Sequence, residues 1–340
     1  MPTCIYCKVD KKPDLFNKEH VLHDSFGSFN NTLTLINKVC ASCNSLCGDT
    51  IDRLLARDTI EGFKRTQYGL KKNEDFKTEG KSSKIKIRVC EGLLKGLAAY
   101  LFLDQKQKKI LLKPLPQIGL RKGCGTYDFF AFENIPSFEL TSYNKYPCSE
   151  RMILIPPGVD IDDAIEALKS KGYNYSYTGE SELDLENILC EVTRVIDIEL
   201  QRVMAKIAFN FFAYFNDENV ILSHNFDKVR NFVLHGQPLI KIKVDNESIL
   251  DDEKTANSLR LGHIITLEKD HSNSIIIQIS LFNTFRYTVE LSGNNNSNYA
   301  VNVGFGRFFD VHNMTINEIR KTPLLIPSIN LRIPKVKILM

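Results

Sequence analysis

Four of the nine cysteines stand as two Cys-x-x-Cys pairs, Cys4–Cys7 and Cys40–Cys43, with 32 residues (8 to 39) between the pairs. Four thiolates in two such pairs can surround one Zn²⁺ tetrahedrally, because each pair sets two sulfurs side by side around the ion. A zinc held by four sulfurs has no open position for water, so its expected role is to clip together a segment too small to bury a core of its own. Cys47 reads as buried filler, and the isolated Cys90, Cys124, Cys148 and Cys190 read as small buried hydrophobes. Two further features accompany the pairs. Glu19-His20 lies between them, and Asn44 follows the last zinc cysteine directly. With the pairs tied, a carboxylate, an imidazole and an amide can meet. The first and last are hard oxygen donors of the kind Mg²⁺ or Mn²⁺ accepts. The imidazole, whose ordinary pKa lies near working pH, can take a proton from water.

Such a constellation needs elements to hold it. Val21-Leu22 after Glu19-His20 reads as strand, and a helix is expected to start near Asp49 or Thr50. That helix carries Ile51, Leu54 and Leu55 on one side, with Arg53 and Arg57, four apart, on another. Its pattern continues through Ile60 and Phe63. These features bound a first domain at residues 1–68. Residues 69–88 begin as a Lys-rich polar stretch expected to be a linker or exposed loop, and 89–340 read as one larger mixed α/β domain. In the latter, short β-rich runs (Asp128–Phe132, Arg151–Ile155, Leu239–Val244, His263–Leu267, Ser274–Leu281, Phe285–Leu291) alternate with two helical patterns. One spans Asp162–Lys171 and stops at Gly172. The other, capped by Asp197, runs to about Phe215 with Leu200, Val203, Ile207, Phe211 and Tyr214 as a core stripe. Ile85–Val89 alternates like a half-buried strand. The expected fold class is α+β: a small zinc-braced finger followed by a larger mixed domain.

Of the 340 residues, 43% are apolar and 25% charged, which excludes disordered, collagenous and coiled-coil chains. Residues 1–88 hold 16 Lys/Arg against 11 Asp/Glu, so the net charge of +3 becomes +5 there and −2 in the remainder. This basic bias suits a polyanionic partner. No apolar run reaches the ~18 residues that a membrane span needs; the run Val203–Phe215 is interrupted by Lys206. Lys8, Asp10, Lys11, Lys12 and Asp14 stand where a signal peptide would be apolar. A soluble, cytoplasmic protein with no membrane partner is expected.

The string Cys4-Ile-Tyr-Cys7, Glu19-His20-Val21-Leu22, Val39-Cys40-Ala-Ser-Cys43-Asn44 and Gly48-Asp49-Thr50-Ile51-Asp52 resembles the HNH endonucleases, the ββα-metal nucleases, in particular members braced by a four-cysteine zinc. The resemblance covers roughly residues 4–57. It implies His20 as the general base that activates water. It also implies Glu19 and Asn44 as ligands of a catalytic Mg²⁺ or Mn²⁺, Cys4, Cys7, Cys40 and Cys43 as structural zinc ligands, and Asp52 as support from the helix. The family's central Asn position is Leu35 here, with Asn31 and Asn37 as candidates for its loop-tethering role and Asn37 preferred. His23 stands where Pro is common and is a candidate phosphate or metal-site contact, although an exposed histidine is the plainer reading.

The implied chemistry is phosphodiester hydrolysis in nucleic acid, DNA foremost, with Arg53, Arg57, Lys64 and Arg65 as candidate phosphate contacts. Residues 89–340 would supply targeting, dimerisation (a homodimer) or regulation, and family analogy points to phage defence, restriction or mobile-element biology. The alternative reading is a non-catalytic zinc finger that binds nucleic acid or another protein.

Overall fold

A computed structural model describes residues 1–320 apart from 58, 71–84, 105–108, 124, 148–150, 176–178, 180–189, 195, 246–248, 250–261, 271 and 293–303. Most of the expected linker, together with Cys124 and Cys148, therefore lies outside the described residues. The loop bearing Cys4 and Cys7 folds back through a bridge between Thr3 and Asp10. Two antiparallel strands follow, β1 (Phe16–His20) and β2 (Thr34–Cys40). Their register slips between Asn17 and Glu19, so that residues 36–38 of β2 lie opposite Lys18 alone. Asn37, exposed at this bulge, takes a left-handed conformation (φ 56°), which asparagine adopts more readily than most residues.

Helix α1 (Ala41–Cys47) passes through a π-helical turn, Gly48–Asp52, into α2 (Arg53–Arg57), and α3 (Ile60–Gln67) follows. The helix thus begins at Ala41, not near Asp49: Gly48 is itself helical (φ −59°, ψ −45°) and does not interrupt it. Cys43 and Asn44 consequently ride on its first turn.

Strands β3 (Ile85–Val89), β4 (Ala98–Asp104), β5 (Lys109–Pro114), β6 (Gln117–Arg121), β7 (Tyr127–Ala131) and β8 (Ile153–Leu154) come next, then α4 (Ile161–Ser170) and β9 (Cys190–Arg194). They form a four-stranded antiparallel sheet, β5-β4-β3-β9, and a three-stranded one, β7-β6-β8. Ile118, Leu120, Ile135, Tyr143, Ala164, Leu168 and Tyr173 form a core in which α4 packs, its first turn capped by the Asp160 carboxylate. Helices α5 (Ile198–Phe215), α6 (Glu218–Ile221) and α7 (Asp227–His235) lead to β10 (Ile242–Asp245), β11 (Gly262–Lys269), β12 (Ile275–Leu281), β13 (Arg286–Ser292), β14 (Phe305–Asp310) and β15 (Thr315–Arg320). These six strands form an antiparallel sheet in the order β10-β13-β12-β11-β14-β15. Among the described residues, no helix is long and apolar enough to cross a membrane.

The compact units cut across the sequence-read segments. One unit joins Met1–Phe76 to Ile196–Ile333, and a second spans Lys77–Val195. The described residues from 196 to 320 therefore pack with the N-terminal finger, and 89–340 is not one domain. The reason is apolar surface: a finger of this size cannot enclose its own large side chains. Tyr6 meets Phe209 edge-on (ring centroids 5.7 Å apart), Phe26 meets His263 (5.8 Å), Phe29 meets Phe309 (5.3 Å) and Tyr68 meets Phe282 (5.2 Å). Helix α5 sits at the centre of this unit. It starts where the Asp197 carboxylate accepts from Leu200 N (3.0 Å), and from Leu200 to Ala213 it buries twelve residues, including Lys206 and Asn210. Of the expected stripe, Leu200, Val203, Ile207 and Phe211 are buried, whereas Tyr214 at the helix end is 38% exposed and outside the core.

Candidate functional site

The loop of Cys4 and Cys7 and the β2–α1 junction converge as the cysteine spacing requires. The four Sγ atoms of Cys4, Cys7, Cys40 and Cys43 lie within 4.8 Å of one another, with Cys7 and Cys40 at 3.9 Å. A tetrahedron of sulfurs at the usual Zn–S length has edges of about 3.8 Å, so the cradle fits a zinc ion. None of the four is in a disulfide. The Lys11 ammonium lies 3.1 Å from Cys40 Sγ, and Cys40 N donates to Cys4 Sγ (3.4 Å); both contacts favour thiolate. A hydrogen bond from Cys43 pulls the Cys4 thiol down to about 4, and the same bond pushes Cys43 up. Cys47 is buried apart from the cradle and its thiol is pushed up to about 12 by burial, an inert filler as its position implied.

The cysteine pairs bring α1 against β1. Asn44 Nδ2 donates to the backbone carbonyl of Lys18 (3.3 Å), which places the amide beside the strand that carries Glu19 and His20. The two strand residues part company there, as neighbours on a strand do. His20 is half-buried, with Nε2 3.2 Å from Asp24 Oδ2 and Nδ1 3.4 Å from the Thr34 hydroxyl. An Nε2–H donating to Asp24 leaves the lone pair on Nδ1.

Glu19 turns the other way, into the unit. Its Oε1 lies 2.7 Å from Lys206 Nζ, and Asn210 Nδ2 donates to it at 2.9 Å. The same ammonium lies 2.5 Å from Oδ2 of Asp52. Asn210 also donates to the His20 carbonyl (3.3 Å) and accepts from the Tyr6 hydroxyl (2.7 Å). Glu19, Asp52, Lys206 and Asn210 are each at most 4% exposed. Burial would depress the Lys206 ammonium, but the charges of Asp52 and Glu19 outweigh it and hold its pKa above the usual lysine range. Burial likewise raises the Tyr6 hydroxyl well above its ordinary value, which keeps it a neutral donor. Asp52 thus forms an ion pair with α5. Glu19 does not fit the part of a catalytic-metal ligand, because its carboxylate is enclosed and already faces a cation.

The remaining candidates separate. His23 is exposed, and its Nδ1 accepts from Ser25 N (3.1 Å), capping the turn Asp24–Phe26. Asn37 serves the β2 bulge through its backbone, and Leu35 is buried. Arg53 is exposed on α2 and Lys64 half-buried on α3, while the side chain of Arg57 lies outside the described residues. Arg65 is no phosphate contact: it is buried at 3% exposure and donates to the Ala56 carbonyl (2.9 Å), closing α3 against α2. Sequence reasoning did not identify Asp24, Lys206 and Asn210. For the last two a signal existed, since Lys206 and Asn210 stand one helical turn apart in an otherwise apolar helix and must share a face.

The sequence model described as HNH endonuclease matches residues 4–60, a segment that includes the cysteine cradle, β1, β2 and α1. No curated protein and no solved structure matches the chain.

Proposed function

We propose that this chain is an endonuclease that hydrolyses phosphodiester bonds in nucleic acid, DNA foremost, with His20 as the general base. The observation that carries the reading is the placement of His20. It ends β1 on the four-cysteine finger of a segment matching the HNH endonucleases, held at Nε2 by Asp24 and two residues along the strand from Lys18, whose carbonyl Asn44 contacts. In this arrangement Nδ1 accepts a proton from the attacking water, and the Asp24 carboxylate stabilises the resulting imidazolium. Arg53, exposed on the helix that leaves the finger, is the foremost candidate for holding the backbone phosphate, with Lys64 behind it.

The four-cysteine cluster holds zinc in this reading and takes no part in the chemistry. The family works with a divalent metal. Here such an ion would be held by residues other than Glu19, with the Asn44 amide oxygen the remaining candidate from the sequence. The enclosed Glu19–Lys206 pair is also the one observation that favours the second reading, a zinc finger that binds nucleic acid without cutting it.

Purified, zinc-loaded protein incubated with supercoiled plasmid and Mg²⁺ or Mn²⁺ separates the two. Wild type is expected to nick. His20→Ala is expected to fall by about 100-fold or more, the scale of a positioned general base, with zinc content unchanged. Equal nicking by both proteins would remove His20 from the chemistry. Binding without nicking, on DNA and RNA alike, would establish the second reading.

A further inference from the structure

Beyond the proposed activity, we infer that Lys206 is the resident cation of the finger's carboxylate pair, so that helix α5 fills with an ammonium the position where Glu19 and Asp52 would otherwise bind a divalent ion. The inference takes its name for the site from the nuclease reading, but its physical content does not depend on cleavage. Two carboxylates from different elements, β1 and the π-helical turn, converge within 2.7 and 2.5 Å of one Nζ. Both are enclosed, at 4% exposure each, and neither is a surface acid. Buried like charges at this spacing repel unless a cation lies between them, and an unpaired pair would either protonate or capture a metal ion from solution. Lys206 removes both outcomes. Its stem descends from α5, whose neighbouring residues are buried, and it cannot swing into solvent without opening the contact between α5 and the finger.

The arrangement also gives α5 a positioning role. Lys206 and Asn210 lie one turn apart and grip adjacent residues of β1. Lys206 holds the Glu19 carboxylate, while Asn210 holds that carboxylate and the His20 carbonyl together. The strand bearing His20 is therefore fixed by a helix far outside the matched segment. A dication approaching the same carboxylates would meet the ammonium's like charge at close range in a poorly screened interior. Wild type is therefore expected to bind no divalent ion through Glu19.

The test uses the full-length, zinc-loaded protein and Mn²⁺, followed by electron paramagnetic resonance and by thermal melting. Wild type and Glu19→Gln should bind Mn²⁺ identically, because the carboxylate is not available to it. Lys206→Met, which vacates the cation position, should gain a Mn²⁺ site at least tenfold tighter than any in wild type, and Lys206→Met/Glu19→Gln should lose it again. Any loss of stability in Lys206→Met should be reversed by Mn²⁺, with a melting temperature that rises with Mn²⁺ concentration while that of wild type does not. Mn²⁺ binding in wild type that weakens in Glu19→Gln would overturn the inference. So would a Lys206→Met protein whose Mn²⁺ affinity and melting temperature show no gain. Both readouts are independent of nicking, so failure of the nuclease reading and failure of this one are told apart.

Discussion

Asn210 shows how much one amide can hold. Its Oδ1 accepts from the Tyr6 hydroxyl, and its Nδ2 donates to the Glu19 carboxylate and the His20 carbonyl, so three groups from two parts of the finger end on one side chain of α5. Truncation leaves these buried groups without a partner, and such a loss costs more than a hydrogen bond's net worth. Asn210→Ala is expected to lower stability by about 2–3 kcal/mol, and Tyr6→Phe, which removes one donor and strands only one acceptor, by about 1 kcal/mol. Urea unfolding followed by circular dichroism measures both, and an unchanged midpoint in Asn210→Ala would show that the network is not holding the finger. This scale also separates what the sequence disclosed from what it hid. The four-cysteine cluster was legible because a Cys-x-x-Cys pair is local: the loop geometry that sets two sulfurs together is contained in four residues. The engagement of Glu19 was not legible, since its partner Asn210 lies 191 residues away, and Lys206 lies 154 residues from Asp52. Read alone, Lys206 was only the charge that broke an apolar run.

At the scale of elements, the tie between the finger and the six-stranded sheet runs through a histidine. His263 at the start of β11 is fully buried, with Nε2 donating to the Phe26 carbonyl (2.9 Å) and Nδ1 accepting from Phe282 N (3.3 Å). The bond accepted at Nδ1 requires the neutral ring, and burial lowers its pKa from 6.5 to about 4 against the smaller opposing effect of the Phe26 carbonyl. Between those values the unfolded chain binds a proton that the folded chain refuses, so stability rises with pH across that window. The contribution is complete above about pH 6.5 and is lost as pH falls toward 4, by about 3 kcal/mol at one pKa unit per 1.4 kcal/mol. Carboxylates titrate in the same range, so the comparison that isolates the ring is wild type against His263→Asn. The variant is expected to show a shallower fall of stability from pH 6.5 to 4 in denaturant titrations, and parallel curves would dismiss the tie. Strands β10 to β13 of this sheet were legible from the sequence as short β-rich runs because β-branched and aromatic residues dominate them, whereas β14 and β15 were not among the expected strands. In β3 the alternation of buried and exposed residues was plain as well. Element ends were less legible. The helix after the cysteines starts eight residues before Asp49, because the cysteine ligands occupy its first turn, and no apolar periodicity marks a turn that faces a metal cradle.

At the scale of the molecule, the finger and the described residues 196–320 belong to one unit although residues 77–195 stand between them in sequence. Sequence order could not disclose this, since apolar runs show that a surface is to be buried and not which other surface buries it. The joint is varied in kind. It includes the ion pairs of Lys206, the amide of Asn210, the guanidinium of Arg230 donating to the Ile5 carbonyl (2.6 Å), the Lys38 ammonium on the Ala213 carbonyl (2.5 Å), and the ring contacts of Tyr6, Phe26 and Phe29. A finger with only a zinc clip would leave Glu19, Asp52 and those rings exposed to water. The cysteine cradle and α5 therefore do different work: the cradle, which fits a zinc ion, gathers the finger's own loop, and the helix covers its inner face. If so, residues 1–76 and 196–340 expressed as separate chains should recover each other. Co-expressed with a tag on one fragment only, the two are expected to copurify in equal amounts with one zinc per complex, and to melt in a single transition. Lys206→Ala in the second fragment should weaken that association by tenfold or more, because it leaves two buried carboxylates facing each other, a loss of about 3–5 kcal/mol for a broken buried pair. A fragment 1–76 that purifies folded and zinc-loaded by itself, with no affinity for 196–340, would mean that the finger carries its own core and that α5 is only a neighbour.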